Sequence, residues 1–102
     1  MHVIEIFLPL QRNDGSSEPH ELFGAVRKEL VVKFGGLTAY SRSPAEGLWE
    51  RDEGSIDKDA IVIFEVMAEN LDRDWWADYR ARLEKMFEQD AVVIRSAEVE
   101  RL

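Results

Sequence analysis

Residues 60–68 read AIVIFEVMA, and residues 2–8 read HVIEIFL. Both segments are short and rich in β-branched and aromatic side chains, which predicts β-strands. Residues 91–99 (AVVIRSAEV) have the same character, and residues 37–43 (LTAYSRS) alternate between apolar and polar up to Pro44. The sequence therefore contains four predicted strands.

The segment between the first two strands has helical periodicity over residues 18–33. Its apolar positions recur every three or four residues, which predicts one buried stripe. Ser17 is the expected N-cap, and Gly35-Gly36 is the expected stop. Gly24 lies inside the stripe, and we expect it to let the helix approach the sheet. The stripe consists of Leu22, Phe23, Val26, Leu30 and Phe34.

A second helix is predicted at residues 72–88, with Asp72 or Asn70 as its cap. The adjacent Trp75 and Trp76 point about 100° apart, so we expect one in the core and one partly exposed. The spacings of Asp78 with Arg82 and of Arg80 with Glu84 predict ion pairs on its outer side. The apolar face is made of Trp75, Tyr79, Leu83, Met86 and Phe87.

This β-α-β-β-α-β order predicts a ferredoxin-like α+β sandwich, formed by residues 1–102 as one domain. Strands one and three are central in such a sheet, strand four lies beside one, and strand two lies beside three. Both helices cover one face of the four-stranded antiparallel sheet. We expect residues 44–59 to form a hairpin arm, with turns at Glu46-Gly47 and Glu53-Gly54 and a short strand at 48–50 between them.

Alternation assigns the strand residues to two faces. One set is wholly apolar and must face the helices: Ile4, Ile6, Leu8, Val62, Phe64, Val66, Val92 and Ile94. The other set, which we name the second face, is also mostly apolar, and an apolar patch of this size is unusual on a monomer. Burial in a homodimer is the simplest solution, and the alternative is that the arm folds over it. The second face consists of Val3, Glu5, Phe7, Ile61, Ile63, Glu65, Met67, Val93, Arg95 and Ala97.

Glu5, Glu65 and Arg95 lie near the middle of the second face on three neighbouring strands, and we name them the polar row. Two close carboxylates beside a guanidinium are candidate catalytic groups, because such a pair can produce a general base. The same three residues can instead form an ion cluster that fixes the register of a dimer. Both interpretations remain open at this point.

Tyr40 and Arg42 on strand two can join the second face, and Trp49 of the arm can lie over it. Together they are candidate ligand-binding residues for a planar or anionic small molecule. The alternative is a packed tyrosine and a solvated arginine on an edge strand.

Composition excludes several classes of function. The chain has no cysteine, so disulfides, thiolate catalysis and cysteine-ligated metals are excluded. Neither His2 nor His20 has partners at metal-ligand spacing, so the sequence predicts no metal site and no cofactor. No apolar run is long enough for a signal peptide or a membrane span, which leads us to expect a cytoplasmic protein.

Binding to nucleic acid is also not expected. The formal net charge of -8 opposes contact with phosphate backbones or anionic membranes. One RNA-binding module shares this order of elements, but it stacks bases on aromatic residues of its open sheet face. Phe64, the aromatic residue of the third strand, is predicted to face the helices instead.

Three short motifs resemble a family of small uncharacterised bacterial proteins. They are Gly35-Gly36-Leu37-Thr38 at a strand start, Gly47-Leu48-Trp49, and the run from Tyr79-Arg80 to Phe87-Glu88-Gln89 before Val92. The resemblance covers roughly residues 3–95 and implies the same α/β scaffold but no reaction. The extra Pro44 before the second motif departs from the family pattern. Gln89 follows the helix in that pattern, and we expect it to cap backbone groups at the end of the helix.

The sequence thus predicts a small homodimeric α/β domain that binds a small organic ligand at its sheet face. The alternative is a cofactor-independent enzyme, similar to a monooxygenase or isomerase, that acts on a small organic substrate. Analogy to dimeric α/β-barrel proteins, which include cofactor-free monooxygenases, rests on the fold alone.

Overall fold

The computed structural model describes the backbone of residues 1–50 and 56–102, and the side chains of residues 1–40 and 61–102. Its elements follow the predicted β-α-β-β-α-β order. They are β1 (His2–Pro9), α1 (His20–Phe34), β2 (Thr38–Glu50), β3 (Ile56–Ala68), α2 (Arg73–Met86) and β4 (Val93–Glu98).

The four strands form one antiparallel sheet in the order β2-β3-β1-β4. This is the ferredoxin-like arrangement that the sequence predicts, with β1 and β3 in the centre. The register places Glu5 of β1 opposite Glu65 of β3 and also opposite Arg95 of β4. The sheet therefore places these three residues, which are far apart in the sequence, in one row across neighbouring strands.

The core lies between the sheet and the two helices. Each predicted helix-facing strand residue is buried except Ile94, which is half-buried. From the helices, the ring of Phe23 meets the ring of Phe87 edge-on at 5.2 Å between centroids. Alternation along the strands therefore predicted the core correctly, because only one parity of each strand can face the helical layer. The remaining helix residues of the core are Val26, Leu30, Trp76, Tyr79 and Leu83.

Helix α1 begins later than predicted. It starts at His20, with Pro19 at the N-cap position and no side-chain cap, so the prediction for Ser17 was wrong. Gly35 ends the helix as predicted, at φ +80°, a conformation that costs glycine little. Gly24 is exposed, and a Cβ there would meet nothing within 4 Å, so it does not serve an approach to the sheet.

Helix α2 is capped as predicted, because Asp72 accepts a hydrogen bond of 3.1 Å from the backbone N–H of Trp75. Trp76 is buried and Trp75 is half-buried, which confirms the expected division between the two. The predicted ion pairs on this helix were wrong. Two residues instead contact other elements: Arg82 pairs with Glu29 of α1, and a carboxylate oxygen of Glu84 accepts from the N–H of Val92 at 3.0 Å.

Strand β2 is longer than predicted and continues through Pro44 to Glu50. Between the pairs Tyr40↔Ile63 and Ala45↔Ile61, β2 advances five residues while β3 advances two, so β2 carries three extra residues. Proline lacks the N–H that a paired strand residue donates. The irregularity in this stretch leaves Pro44 unpaired and lets the pairing with β3 resume at Ala45. The predicted turn at Glu46-Gly47 was wrong, because both residues are paired with β3, and the turn predicted at Glu53-Gly54 lies outside the described residues.

Candidate functional site on the second face

The polar row is assembled as predicted. Nε of Arg95 donates a hydrogen bond to Oε1 of Glu5 across β1 and β4, at 2.8 Å. The side chain of Arg95 is 64% exposed and that of Glu5 is 26% exposed. This ion pair is therefore open to solvent on one side, where a ligand or a second protein surface can reach it.

Backbone hydrogen bonds show how close Glu5 and Glu65 come. The N–H of Val99 donates to the carbonyl oxygen of Met1. Glu5 and Arg95 form the pair four residues further along the same ladder, so their backbone groups have the same orientation as those of Met1 and Val99. Glu5 therefore directs its backbone groups toward β4 and away from β3. Glu5 and Glu65 thus form a non-hydrogen-bonded pair, in which Cα atoms approach to about 4.5 Å and side chains are closest. The two glutamates therefore project from neighbouring positions on the same face, and Arg95 lies on the other side of Glu5.

Apolar side chains surround the polar row on the second face. Phe7 lies between Ile63 and Val93, and the guanidinium carbon of Arg95 stands 4.8 Å from the centroid of its ring. The side chains become more exposed toward the edges, with Val93 58% exposed and Met67 43% exposed. Within the part of the chain whose side chains are described, no helix covers this face.

Only one of the three predicted ligand-binding residues can be placed. Tyr40 lies opposite Ile63 and is 47% exposed, so its ring is available at the β2 side of the second face. The side chains of Arg42 and Trp49 lie outside the described residues. Arg42 falls in the stretch of β2 where the register shifts, so simple alternation does not fix its face.

A second polar cluster was not predicted from the sequence. Glu18 is buried before α1, and its carboxylate accepts from Nε of Arg12 at 3.0 Å and from Nε2 of Gln89 at 3.1 Å. Arg12 also pairs with Glu88, and the hydrogen bond to Glu18 is the main cause that raises the pKa of Arg12. Gln89 was expected to cap backbone groups at the end of α2, but its amide instead donates to the carbonyl of Gln11 in the loop before α1, at 3.1 Å. We name Arg12, Glu18, Glu88 and Gln89 the Glu18 cluster.

The Glu18 cluster borders a cleft of 630 Å³ at the start of α1. Phe23 and Val62 line its apolar part, and His20 and Arg27 add polar groups. A glutamate next to a proline before a helix looks like a first-turn residue, which is why the sequence did not reveal its burial. The available signal was Gln89, the polar residue singled out after α2.

No cluster of three or more potential metal ligands occurs among the residues that the structure describes. Phe64 is fully buried on the helix side of the sheet. None of the described helices is both long and apolar enough to cross a membrane.

Comparison with solved structures supports the fold. CutA1 from Pyrococcus horikoshii OT3, as a point variant, matches all of this chain and 86% of its own at a TM-score of 0.60 and 14% identity. A phage SAM lyase in complex with S-methyl-5'-thioadenosine matches 95% of this chain and 80% of its own at 0.58 and 18% identity. A phage SAM lyase in the apo state matches 94% of this chain and 78% of its own at a TM-score of 0.57 and 15% identity.

At these identities the likeness establishes the fold and no more. No protein-family model matches the chain, and no curated protein matches it. The motif resemblance to a bacterial family is not tested by these comparisons and stays a prediction. The chain is a small α/β domain of the ferredoxin-like type.

Proposed function

We propose that this protein is a self-associating α/β domain, with a second copy of the chain covering its second face and a small organic ligand bound beside Tyr40. The observation that carries the proposal is the exposure of apolar side chains on a face with no helical layer. Val93 and Met67 are 58% and 43% exposed there, whereas Val92 and Val66, which precede them on the helix-facing side, are buried.

The size of the second face suits a protein interface. The face is measured where all four strands lie side by side, which is over the length of the two shorter strands, β1 with 8 residues and β4 with 6. Four strands about 4.8 Å apart make a face of roughly 20 by 25 Å there. Because side chains project from the sheet, the solvent-accessible area of the face is larger than this flat estimate. A stable interface removes about 800 Å² per partner from water, so the second face is of the right order for one further copy.

Charge complementarity favours a second copy over an unrelated partner. The polar row carries both signs, with Glu65 and Arg95 on opposite sides of Glu5. A two-fold axis parallel to the strands and above β1 places Arg95 over the partner's Glu65, and the reverse contact follows by symmetry. Glu5 then faces its own symmetry mate, and each of these carboxylates keeps its own Arg95 as a counter-ion.

The ligand part of the proposal rests on Tyr40 and on the polar row. An exposed phenol ring beside Ile63 offers a flat surface, and the Glu5–Arg95 pair offers both hydrogen-bond donors and acceptors. Two facing sheets stand about 10 Å apart, which leaves room for a planar molecule at the rim. The phage SAM lyase is similar in fold and binds S-methyl-5'-thioadenosine, so this type of scaffold can hold a small organic ligand.

The mass of the purified chain in solution tests self-association. Sedimentation equilibrium of the native chain at micromolar concentration is expected to give twice 11.8 kDa. Val93→Lys and Met67→Lys place a charge on the second face and are expected to give monomers. Val32→Lys is the matched control, because Val32 is 79% exposed on α1, away from the sheet. A monomeric native chain, or equal dissociation by Val32→Lys, contradicts the proposal.

The ligand is tested by titrating S-methyl-5'-thioadenosine into the native chain and into Tyr40→Ala, with binding followed by calorimetry. Binding to the native chain that weakens at least about tenfold in Tyr40→Ala supports a site beside Tyr40. Equal binding by the two chains places the molecule elsewhere.

A second candidate function is the cofactor-independent enzyme. It is favoured by the position of Glu5 and Glu65 side by side, with Arg95 next to them, because these groups can move a proton and hold an anion. Incubation with S-adenosylmethionine and detection of S-methyl-5'-thioadenosine tests the reaction that the phage neighbour's name suggests. Product that disappears in Glu65→Gln, with unchanged mass in solution, supports catalysis of this reaction, and no product from the native chain contradicts it.

A further inference from the structure

A groove runs between helix α2 and the edge strand β4, far from Tyr40. It has a volume of 240 Å³. Its floor is apolar, and its polar lining comes from two arginines of α2 and from β4. We name it the arginine groove, and its lining includes Ile4, Arg73, Trp76, Ala77, Arg80 and Ser96.

Arg73 and Arg80 are seven residues apart, so they lie on the same side of α2, two turns from one another. Ala77 lies between them and also lines the groove. Because alanine ends at Cβ, it leaves open the space that a longer side chain would fill. The groove therefore exists where the helix has a small residue between two cations.

The two arginines are not neutralised within the described part of the chain. Both are exposed, and neither forms an ion pair with a described carboxylate. The carboxylate of Glu84, one turn after Arg80, accepts a hydrogen bond from the N–H of Val92 and does not pair with Arg80. All charged side chains among the described lining residues are arginines, although the whole chain has a formal net charge of -8.

Strand β4 adds neutral donors. The bond from Val99 to Met1 shows that odd-numbered residues of β4 direct their backbone groups toward β1. The N–H of Ser96 therefore points away from β1, toward the free edge of the sheet. Ser96 is exposed, and its position in the alternation puts its hydroxyl on the helix side of the strand, where the groove lies.

We propose that the arginine groove binds a small organic anion that carries a carboxylate or phosphate group. The oxyanion lies between Arg73 and Arg80 and accepts from Ser96, and the apolar body of the ligand rests on Trp76 and Ile4. Guanidinium groups match carboxylate and phosphate oxygens in geometry, and such charge-assisted bonds are strong. This site does not depend on the function proposed for the second face.

Nuclear magnetic resonance titration of the full chain tests the site with three probes. Benzoate and phenyl phosphate carry the two kinds of oxyanion on the same ring, and benzamide is the neutral control. The amide of Ser96 and the indole N–H of Trp76 are expected to shift with one or both anions and to remain unmoved with benzamide. The response to the two anions tells which oxyanion the groove prefers.

Two variants locate the binding. The double variant Arg73→Gln with Arg80→Gln removes the cations, and Ala77→Leu fills the groove while keeping them. Each is expected to weaken anion binding at least about tenfold. Lys28→Gln with Lys85→Gln removes two exposed positive charges elsewhere and is expected to leave binding within about twofold.

Three results overturn the assignment. The first is the absence of shifts at Ser96 and Trp76 with both anions. The second is equal binding of benzamide, and the third is undiminished anion binding in Ala77→Leu. If the double arginine variant loses its native spectrum, Ala77→Leu and the neutral probe still decide the question.

Discussion

Nε2 of Gln89 donates a hydrogen bond of 3.1 Å to Oε2 of Glu18, two residues that are 71 positions apart in the chain. The same nitrogen also donates to the backbone carbonyl of Gln11 at 3.1 Å. One amide thereby joins the end of α2 to the loop before α1. The side chain of Glu18 is fully buried, so the charge depends on these partners and on Arg12.

The first prediction concerns this amide. Gln89→Ala removes both hydrogen bonds and leaves the buried carboxylate of Glu18 with Arg12 alone. A lost hydrogen bond that leaves a buried group unsatisfied costs about 1–3 kcal/mol. We expect the free energy of unfolding, measured by urea denaturation, to fall by about that amount. The control is Gln11→Ala, which removes an exposed amide and keeps the backbone carbonyl; an equal loss in the control would assign the effect to the loop and not to the hydrogen bonds.

The second prediction concerns the polar row. Arg95→Glu places a third carboxylate beside Glu5 and, in the proposed dimer, over the partner's Glu65. We expect both dissociation and lower stability. Adding Glu65→Arg to this variant mirrors the row, so that Glu5 regains a cation next to it on β3 and the contacts across the two-fold axis are restored with the signs exchanged.

Sedimentation and urea denaturation measure this charge exchange. The double variant is expected to regain the mass of the native chain and most of its stability. Exposed ion pairs contribute only about 0.2–1 kcal/mol each, so the larger effect should appear in self-association. A double variant that remains monomeric would rule out the proposed axis.

The third prediction concerns Tyr79, whose hydroxyl is buried without a hydrogen-bond partner among the described residues. Burial, followed by the charge of Glu29, raises the pKa of Tyr79 from 10 to about 12. The unfolded chain ionises this phenol near pH 10 and the folded chain does not. The stabilisation is therefore complete below pH 10 and is lost as the pH rises toward 12.

Urea denaturation of the native chain and of Tyr79→Phe across this range measures the effect. The variant is expected to lose less stability than the native chain between pH 10 and 12. At neutral pH it should match the native chain within about 1 kcal/mol, because the missing hydroxyl had no partner. Tyr40→Phe, which removes an exposed hydroxyl in place of a buried one, is the control variant. A native pH dependence in Tyr79→Phe would show that other groups cause the loss.

The fourth prediction concerns two glycines of the α1 region. Gly24 is exposed in the helix interior with free space around a Cβ, so Gly24→Ala is expected to raise the free energy of unfolding by about 0.5–1 kcal/mol. Gly35 has φ +80°, a conformation that a Cβ disfavours, so Gly35→Ala is expected to lower it by about 1 kcal/mol or more. Thermal unfolding followed by circular dichroism compares both variants. A stabilised Gly35→Ala would contradict the role of its left-handed conformation.

The sheet could be predicted because alternation and the order of elements leave few arrangements. Ile4, Phe64 and Val92 had to face the helices, and this choice placed Glu5, Glu65 and Arg95 together on the other side. The same parity excluded a slip of one residue, which exchanges the two faces of a strand, but the register itself comes from the structure.

The errors arose where local signals compete with contacts from distant parts of the chain. Pro44 is a strong signal to end a strand, but pairing with β3 continues beyond it through a shift in register. Ser17 has the properties of an N-cap, but Glu18, the next residue, is buried against Arg12 and Gln89. Those partners come from elsewhere in the chain, so local pattern alone did not reveal them.

The central position of β1 has a consequence for the order of folding. The hydrogen bond from Val99 to Met1 fixes the pattern: odd-numbered residues of β1 direct their backbone groups toward β4, which begins only at Val93, and even-numbered residues direct theirs toward β3. Half of the backbone groups of β1, the first strand in the chain, therefore find their hydrogen-bond partners only in β4, the last strand. Such non-local pairing slows folding, because large loops must close first. During synthesis on the ribosome, β1 should therefore stay without its final partner until almost the whole domain has emerged.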